Sequence, residues 1–148
     1  MENKTQQLCT FYVHGRYFGV DVTRVQEVIR YQEMTKVPLA SQVIRGLINL
    51  RGQIVTAIDM RARLHLPART GDELPTNVVV RTDDGAVSLL VDEIGDVVEV
   101  ESSAFEPLPE TLDAVAREVI GGVYKLKSQL LLVLDTARAV DLSPSTLQ

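Results

Sequence analysis

Cysteine is nearly missing from this sequence. Cys9 stands alone among 148 residues and has no internal disulfide partner, which fits a reducing compartment. Long apolar runs are missing too. The longest, Leu130–Leu134, is five residues, against the ~20 of a membrane-spanning helix. Met1 to Gln7 is polar and lacks the apolar stretch of a signal peptide. The expectation is a cytoplasmic protein that does not insert into a membrane. Catalytic signatures are equally scarce. Neither Gly-rich phosphate loop occurs, nor does G-x-S-x-G. His14 and His65 lack metal-ligand spacing, and one cysteine cannot complete a site. The Asp/Glu pairs 72–73 and 83–84 read as solvated turns without the calcium-loop pattern. No cofactor, metal or catalysis is expected.

Forty-five per cent hydrophobic and 24% charged residues describe an ordinary globular chain. At this length roughly 68–70% of the unfolded surface can be buried. The net charge of −5 hides a gradient: residues 1–70 carry ten Lys/Arg against five Asp/Glu, and residues 71–148 carry five against fifteen. Such acidity excludes a general nucleic-acid binder. If the halves form separate barrels, the opposite charges can orient head-to-tail contacts.

Most of the chain reads as short strands rich in Val, Ile and Leu. Leu8–Val13 and Tyr17–Val22 flank the tight turn at His14-Gly15 and form a hairpin. Thr23, with Gln26 three residues on, fits a capping box, and Val25, Val28 and Ile29 follow helical spacing, so Thr23–Arg30 is expected to be helical. Ser41 is placed as the cap of a second short helix ending at Gly46. Leu47–Leu50 and Gln53–Ile58 flank Arg51-Gly52 as another hairpin, and Asp59 caps a helix that runs to Leu66. Pro67–Pro75 is turn-rich and is the expected linker. Asn77–Arg81 and Ala86–Val91 pair around Asp84-Gly85, and Val97–Glu101 alternates as a strand. Val119–Leu126 and Gln129–Leu134 form the last hairpin, followed by a helix capped by Asp135.

The second half repeats the first. Residues 43–53 match residues 119–129 at a shift of 76, which also places Ile54–Asp59 on Leu130–Asp135. Upstream, Val20-Asp21 is laid on Val91-Asp92, and residues 25–28 on residues 97–100. A repeat near 70 residues is longer than a solenoid period and points to two five-stranded barrels. Barrel closure hides strand edges. Each half alone has little core, so the two must pack together, leaving a groove between them as a binding site.

Phe18-Gly19-Val20-Asp21-Val22, Val25-Gln26-Glu27-Val28, Pro38, residues 44–52 and Ile58-Asp59-Met60-Arg61 together resemble the CheW-type chemotaxis coupling proteins. The resemblance runs from about Gln7 to Leu142, and N-L-R-G-x-I-V-x-x-I-D is its most specific part. It implies a mainly β fold of two interlocked five-stranded SH3-like barrels with short helices and pseudo-duplicated halves. It places one domain over 7–142, with flexible tails at 1–6 and 143–148. It also implies a non-enzymatic adaptor in receptor arrays at the membrane. Such an adaptor couples chemoreceptor cytoplasmic tips to the regulatory domain of a CheA-type histidine kinase, and self-associates in arrays. A coupling protein of a non-flagellar pathway and a ligand- or peptide-binding double barrel are the alternatives.

Carried onto this chain, the resemblance assigns Val25, Glu27, Val28, Ile29, Arg51, Val97 and Val98 to the receptor groove. It assigns Met34, Thr35, Val37 and Ile54 to the kinase contact. The apolar members also fit a plain core, and Glu27 with Arg51 also fits a structural ion pair. Ile54 and Val55 cannot both face inward along one strand. Asp59 and Asp135 are explained by helix capping, Arg61 and Arg63 by a solvated basic face, and Cys9 by a small core position.

Overall fold

The computed structural model describes residues 4–142 and contains ten strands in two five-stranded sheets. The first half supplies β1 (Thr5–Val13), β2 (Arg16–Asp21), β3 (Val25–Ile29), β4 (Ile44–Leu50) and β5 (Gln53–Asp59). The second supplies β6 (Thr76–Thr82), β7 (Gly85–Val91), β8 (Glu93–Glu101), β9 (Ile120–Lys125) and β10 (Leu130–Leu134). Short helices α1 (Met60–Arg63), α2 (Ala114–Val119) and α3 (Thr136–Val140) complete the chain.

The sheet orders are β8-β1-β2-β10-β9 and β3-β6-β7-β5-β4. Each sheet is thus one half's hairpin joined to the other half's last three strands. The expected barrels exist, but neither belongs to one half. The charge gradient along the chain therefore does not separate into one basic and one acidic barrel.

The structural register confirms the duplication and corrects part of its alignment. The shift of 76 holds from β4 onward: Asp59 N–H donates to the Val43 carbonyl, and Asp135 N–H to the Val119 carbonyl, both at 2.8 Å. Upstream the shift is 69. Val13 faces Arg16 across the first turn, and Thr82 faces Gly85 across its counterpart. Val28 pairs with Val78, and Val97 with Cys9. Val28 and Ile29 are therefore the mates of Val97 and Val98, not of the residues three positions later.

Tight hairpins arise where the sequence allows φ > 0. His14 and Gly15 (φ 49° and 77°) and Arg51 and Gly52 (φ 51° and 89°) form two-residue loops, whose twist matches the flanking strands. A bridge of backbone hydrogen bonds covers the outer edge of β4 from Thr35 to Leu47, and its mate covers β9 from Glu106 to Val123. Close approach demands glycine at the first and crowds a side chain at the second. A Cβ on Gly46 would lie 2.8 Å from the Thr35 carbonyl oxygen, and one on Gly122 would overlap the ring of Phe105.

The main core spans both sheets. It joins Phe11 and Phe18 to Ile58, Leu89 and Val91, with Met60, Ala116 and Ala139 from the helices. A smaller cluster lies within each barrel, around Leu8, Tyr124 and Leu131 in one and Ile48, Leu50 and Val55 in the other. Cys9 is buried, as expected.

Three local expectations fail. Thr23–Arg30 is not a helix: Asp21 caps a single 3-10 turn over Val22–Arg24, and strand β3 follows. Its β-branched residues suit a pleated strand, and pairing with β6 decides the matter. Ser41 supports only a turn, and β4 begins at Ile44. Helix α2, with Asp113 accepting from Ala116 N–H at 2.8 Å, runs through Val119, where the last hairpin was expected to begin. β1 takes in Thr5 and Gln6, placed above in the N-terminal tail; residues 1–3 and 143–148 lie outside the described residues.

Candidate functional site

β3 and β8 each form one edge of their sheet, opposite the covered strands β4 and β9, and are mates under the duplication. Their exposed apolar residues correspond. Val28 is 39% exposed and Val97 61%. Ile29 and Val98, the next mates, are half-buried and pack on the two smaller clusters. Val25 packs against the main core. Of the five apolar residues assigned to the receptor groove, only Val28 and Val97 are therefore free surface.

Beside Val28 lies the Glu27–Arg51 ion pair. β3 presents the carboxylate, and the β4–β5 turn presents the guanidinium. Asn49 stiffens that turn, accepting the Gly52 N–H at 2.9 Å. The hydrogen bond from Arg51, aided by one from Gln26, holds the Glu27 carboxyl below its usual range. Arg51 remains 72% exposed in the pair, so its remaining donors face solvent. Arg51 fixes the turn against β3 and still offers donors outward.

The segment assigned to the kinase splits the same way. Ile54 is 61% exposed and Val55 fully buried, as strand alternation requires. Met34 packs on the small cluster under β4. Thr35 is exposed and tied through its backbone to Leu47, and Val37 is 38% exposed. The sequence reading missed Leu130, the mate of Ile54, which is 37% exposed. The shift of 76 contained that signal.

The basic face expected at Arg61 and Arg63 is not solvated. Arg61 grips Asp92 with bonds of 2.7–3.1 Å and reaches the Pro67 carbonyl. Arg63 donates to the carbonyls of Ala139 and Arg138. Arg69, in the expected linker, is buried between Asp59 and Asp92 at 3.1 and 3.0 Å. Burial pushes the Asp92 carboxyl upward. The bonds from Arg61 and the His14 N–H, with the two guanidinium charges, outweigh it and hold the group below its usual value. Asp59 and Asp135 do cap their helices, but Asp59 also anchors this cluster.

Among the described residues no helix is long and apolar enough to cross a membrane. Among the same residues no group of three His, Cys, Asp or Glu side chains gathers to hold a metal ion.

Comparison with known proteins agrees with this architecture. The chain is 31% identical over 136 residues to the chemotaxis protein CheW of Bacillus subtilis, spanning 92% of this chain and 87% of that one. It is 30% identical over 133 residues to the chemotaxis protein CheW of Treponema pallidum, spanning 87% and 78%. The fold matches the crystal structure of the scaffolding protein TtCheW from Thermoanaerobacter tengcongensis with a TM-score of 0.80. That match has 24% identity and covers 88% of this chain and 89% of that one. The CheW-like domain family covers residues 7–143, and the chain belongs to it.

Proposed function

We propose that this chain is a non-enzymatic adaptor of chemotaxis-type signalling, coupling chemoreceptor cytoplasmic tips to a CheA-type histidine kinase. The observation that carries the reading is the corresponding pair of exposed valines, Val28 and Val97, on the edge strands β3 and β8 of a CheW-like fold. A receptor tip is a helical hairpin, and an amphipathic helix docks on apolar positions framed by polar ones. Val28 and Val97 supply the apolar contact; Ile29, Val98 and Val25 support it from beneath; Arg51, held by Glu27, supplies the polar one. Ile54 and Val37 make the kinase contact, with Met34 and Thr35 fixing the segment behind them. Leu130 repeats Ile54 in the other barrel, so a second copy of the chain or of a similar regulatory domain meets an equivalent surface. The chain acts at the cytoplasmic side of membrane receptor arrays, with residues 7–142 as one unit.

Capture assays test this. The chain is expected to retain both an immobilised receptor-tip fragment and a kinase regulatory domain. Ile54→Glu is expected to weaken the kinase arm at least about tenfold, one decade in Kd, and to leave the receptor arm unchanged. Failure to retain either partner sinks the adaptor reading. Unchanged kinase affinity in Ile54→Glu removes that residue from the contact.

A further inference from the structure

The two sheets correspond strand for strand under the duplication. β1 pairs with β8, and its mate β6 pairs with β3. Such reciprocity is what a two-fold relation produces. An apolar surface built from mates, Val28 on β3 and Val97 on β8, therefore offers a helix the same contacts in either direction. A cavity of about 320 Å³ lies between the two sides, with Val22 and Thr23 where the chain enters β3 and Gln7 and Glu99 opposite.

Charge breaks this equivalence. At the shift of 69, Arg24 is the mate of Glu93 and Arg30 of Glu99. All four are exposed, and none forms an ion pair among the described residues. Glu99 lies two residues past Val97, on the same face of β8. Arg30 stands at the corresponding place beyond Val28. Asp96 widens the difference. Its mate Glu27 is neutralised by Arg51. Lys127, the mate of Arg51 at the shift of 76, makes no ion pair with Asp96. The β3 side thus carries unpaired cations and the β8 side unpaired carboxylates. Arg24 is the weaker of the cations, since it neighbours Asp21.

We propose that this opposition fixes the direction in which a helical partner lies. The fitting helix has acidic residues along one flank of its apolar stripe and basic residues along the other. It seats the acidic flank toward β3 and the basic flank toward β8. Turning it end for end exchanges the flanks and sets like charges together, which costs affinity. That the helix belongs to a receptor tip rests on the adaptor reading; the polarity of the surface does not.

The test uses the full chain, isotope-labelled, and two synthetic amphipathic helices with N-terminal nitroxides. Both carry a leucine stripe flanked by glutamates on one side and lysines on the other; in the second helix the flanks are exchanged. Each is expected to cause saturable paramagnetic broadening, at opposite ends of β3: around Thr23 with one helix and around Arg30 with the other. The preferred end is expected to dominate by roughly tenfold, one decade in the binding constant. The double variant Arg24→Glu, Arg30→Glu makes both sides acidic at exposed positions. It is expected to keep the wild-type melting temperature and to let each helix broaden both ends alike. Broadening of the same end by both helices overturns the proposal. So does the absence of saturable broadening, and so does an undiminished preference in the double variant. These outcomes are read without receptor or kinase, so they stand apart from the capture assays.

Discussion

Arg61 is one side chain whose removal reaches across the fold. It is 11% exposed and its partner Asp92 is 19% exposed, so the pair is largely withdrawn from water. Removing Arg61 leaves Asp92 with Arg69 and the His14 N–H as partners, so the cost falls below the about 3 kcal/mol of a buried charge left unpaired. Arg61→Ala is expected to lower the urea midpoint accordingly without a change in slope. Asp92 also sets an acid signature. Its folded pKa lies below the unfolded value of about 3.9. Between those values the unfolded chain holds the extra proton, so stability rises with pH there. The contribution is complete above the unfolded pKa and is lost as pH falls through the folded one. Asp92→Asn is expected to flatten the acid limb of the stability profile, measured by denaturant titration below pH 5 or so.

The valines separate surface from core at the same scale. Val28→Lys and Val97→Lys place a charge where water already reaches. Both are expected to keep the wild-type circular dichroism and melting temperature while losing receptor-tip capture. Val25→Lys acts differently, because Val25 packs on the main core. It is expected to lose about 1–2 kcal/mol of stability, the scale of burying a valine. Equal stability for Val25→Lys and Val28→Lys would contradict the placement of β3.

At the scale of elements, what could be read in advance was local. The turn at Arg51-Gly52 was legible because its two left-handed residues are a property of the dipeptide. The caps at Asp59 and Asp135 were legible because a carboxylate bonds amides two or three residues on. Strand β3 was not. Val25, Val28 and Ile29 satisfy helical spacing, and the choice is made by β6, some fifty residues away. Strand exchange was illegible for the same reason, since a strand's neighbour is a long-range fact. The candidate site was half legible: resemblance picked the segments, but only pairing revealed that Val28 and Val97 face water while Val25 does not.

The bridge over β4 offers an element-scale test. Gly46→Ala pushes a methyl against the backbone of Thr35 and the Cβ of Met34. Neither can move without disturbing the bridge to Leu47. Overpacking of this kind typically costs about 1–3 kcal/mol. In the mate, Gly122→Ala meets only the ring of Phe105, which is 44% exposed and can swing away. Gly46→Ala is expected to be the more destabilising, and to weaken kinase capture by shifting the segment from Met34 to Val37. A calorimetric comparison of the two variants checks the order.

At the scale of the whole molecule, the shared core predicts one cooperative unfolding transition. The main cluster draws from both sheets, and each sheet draws from both halves. Neither half can complete a sheet alone. A chain cut within residues 67–75 is expected to yield fragments that are each unfolded by circular dichroism and regain the β spectrum when mixed. A folded isolated fragment would show that the halves are separable.

Two identical chains that traded their last three strands in this way would be a domain-swapped homodimer. The stretch from Pro67 to Pro75, pinned through Arg69 to Asp59 and Asp92, joins such a pair covalently. Fusion replaces bimolecular assembly with an intramolecular one of high effective concentration, so the protein folds at any dilution. It also lifts the constraint that both copies keep the same residues. Arginine at position 61 and alanine at position 137 could not coexist in a symmetric dimer of one gene product. Covalent joining is what permits this scaffold to have two dissimilar ends.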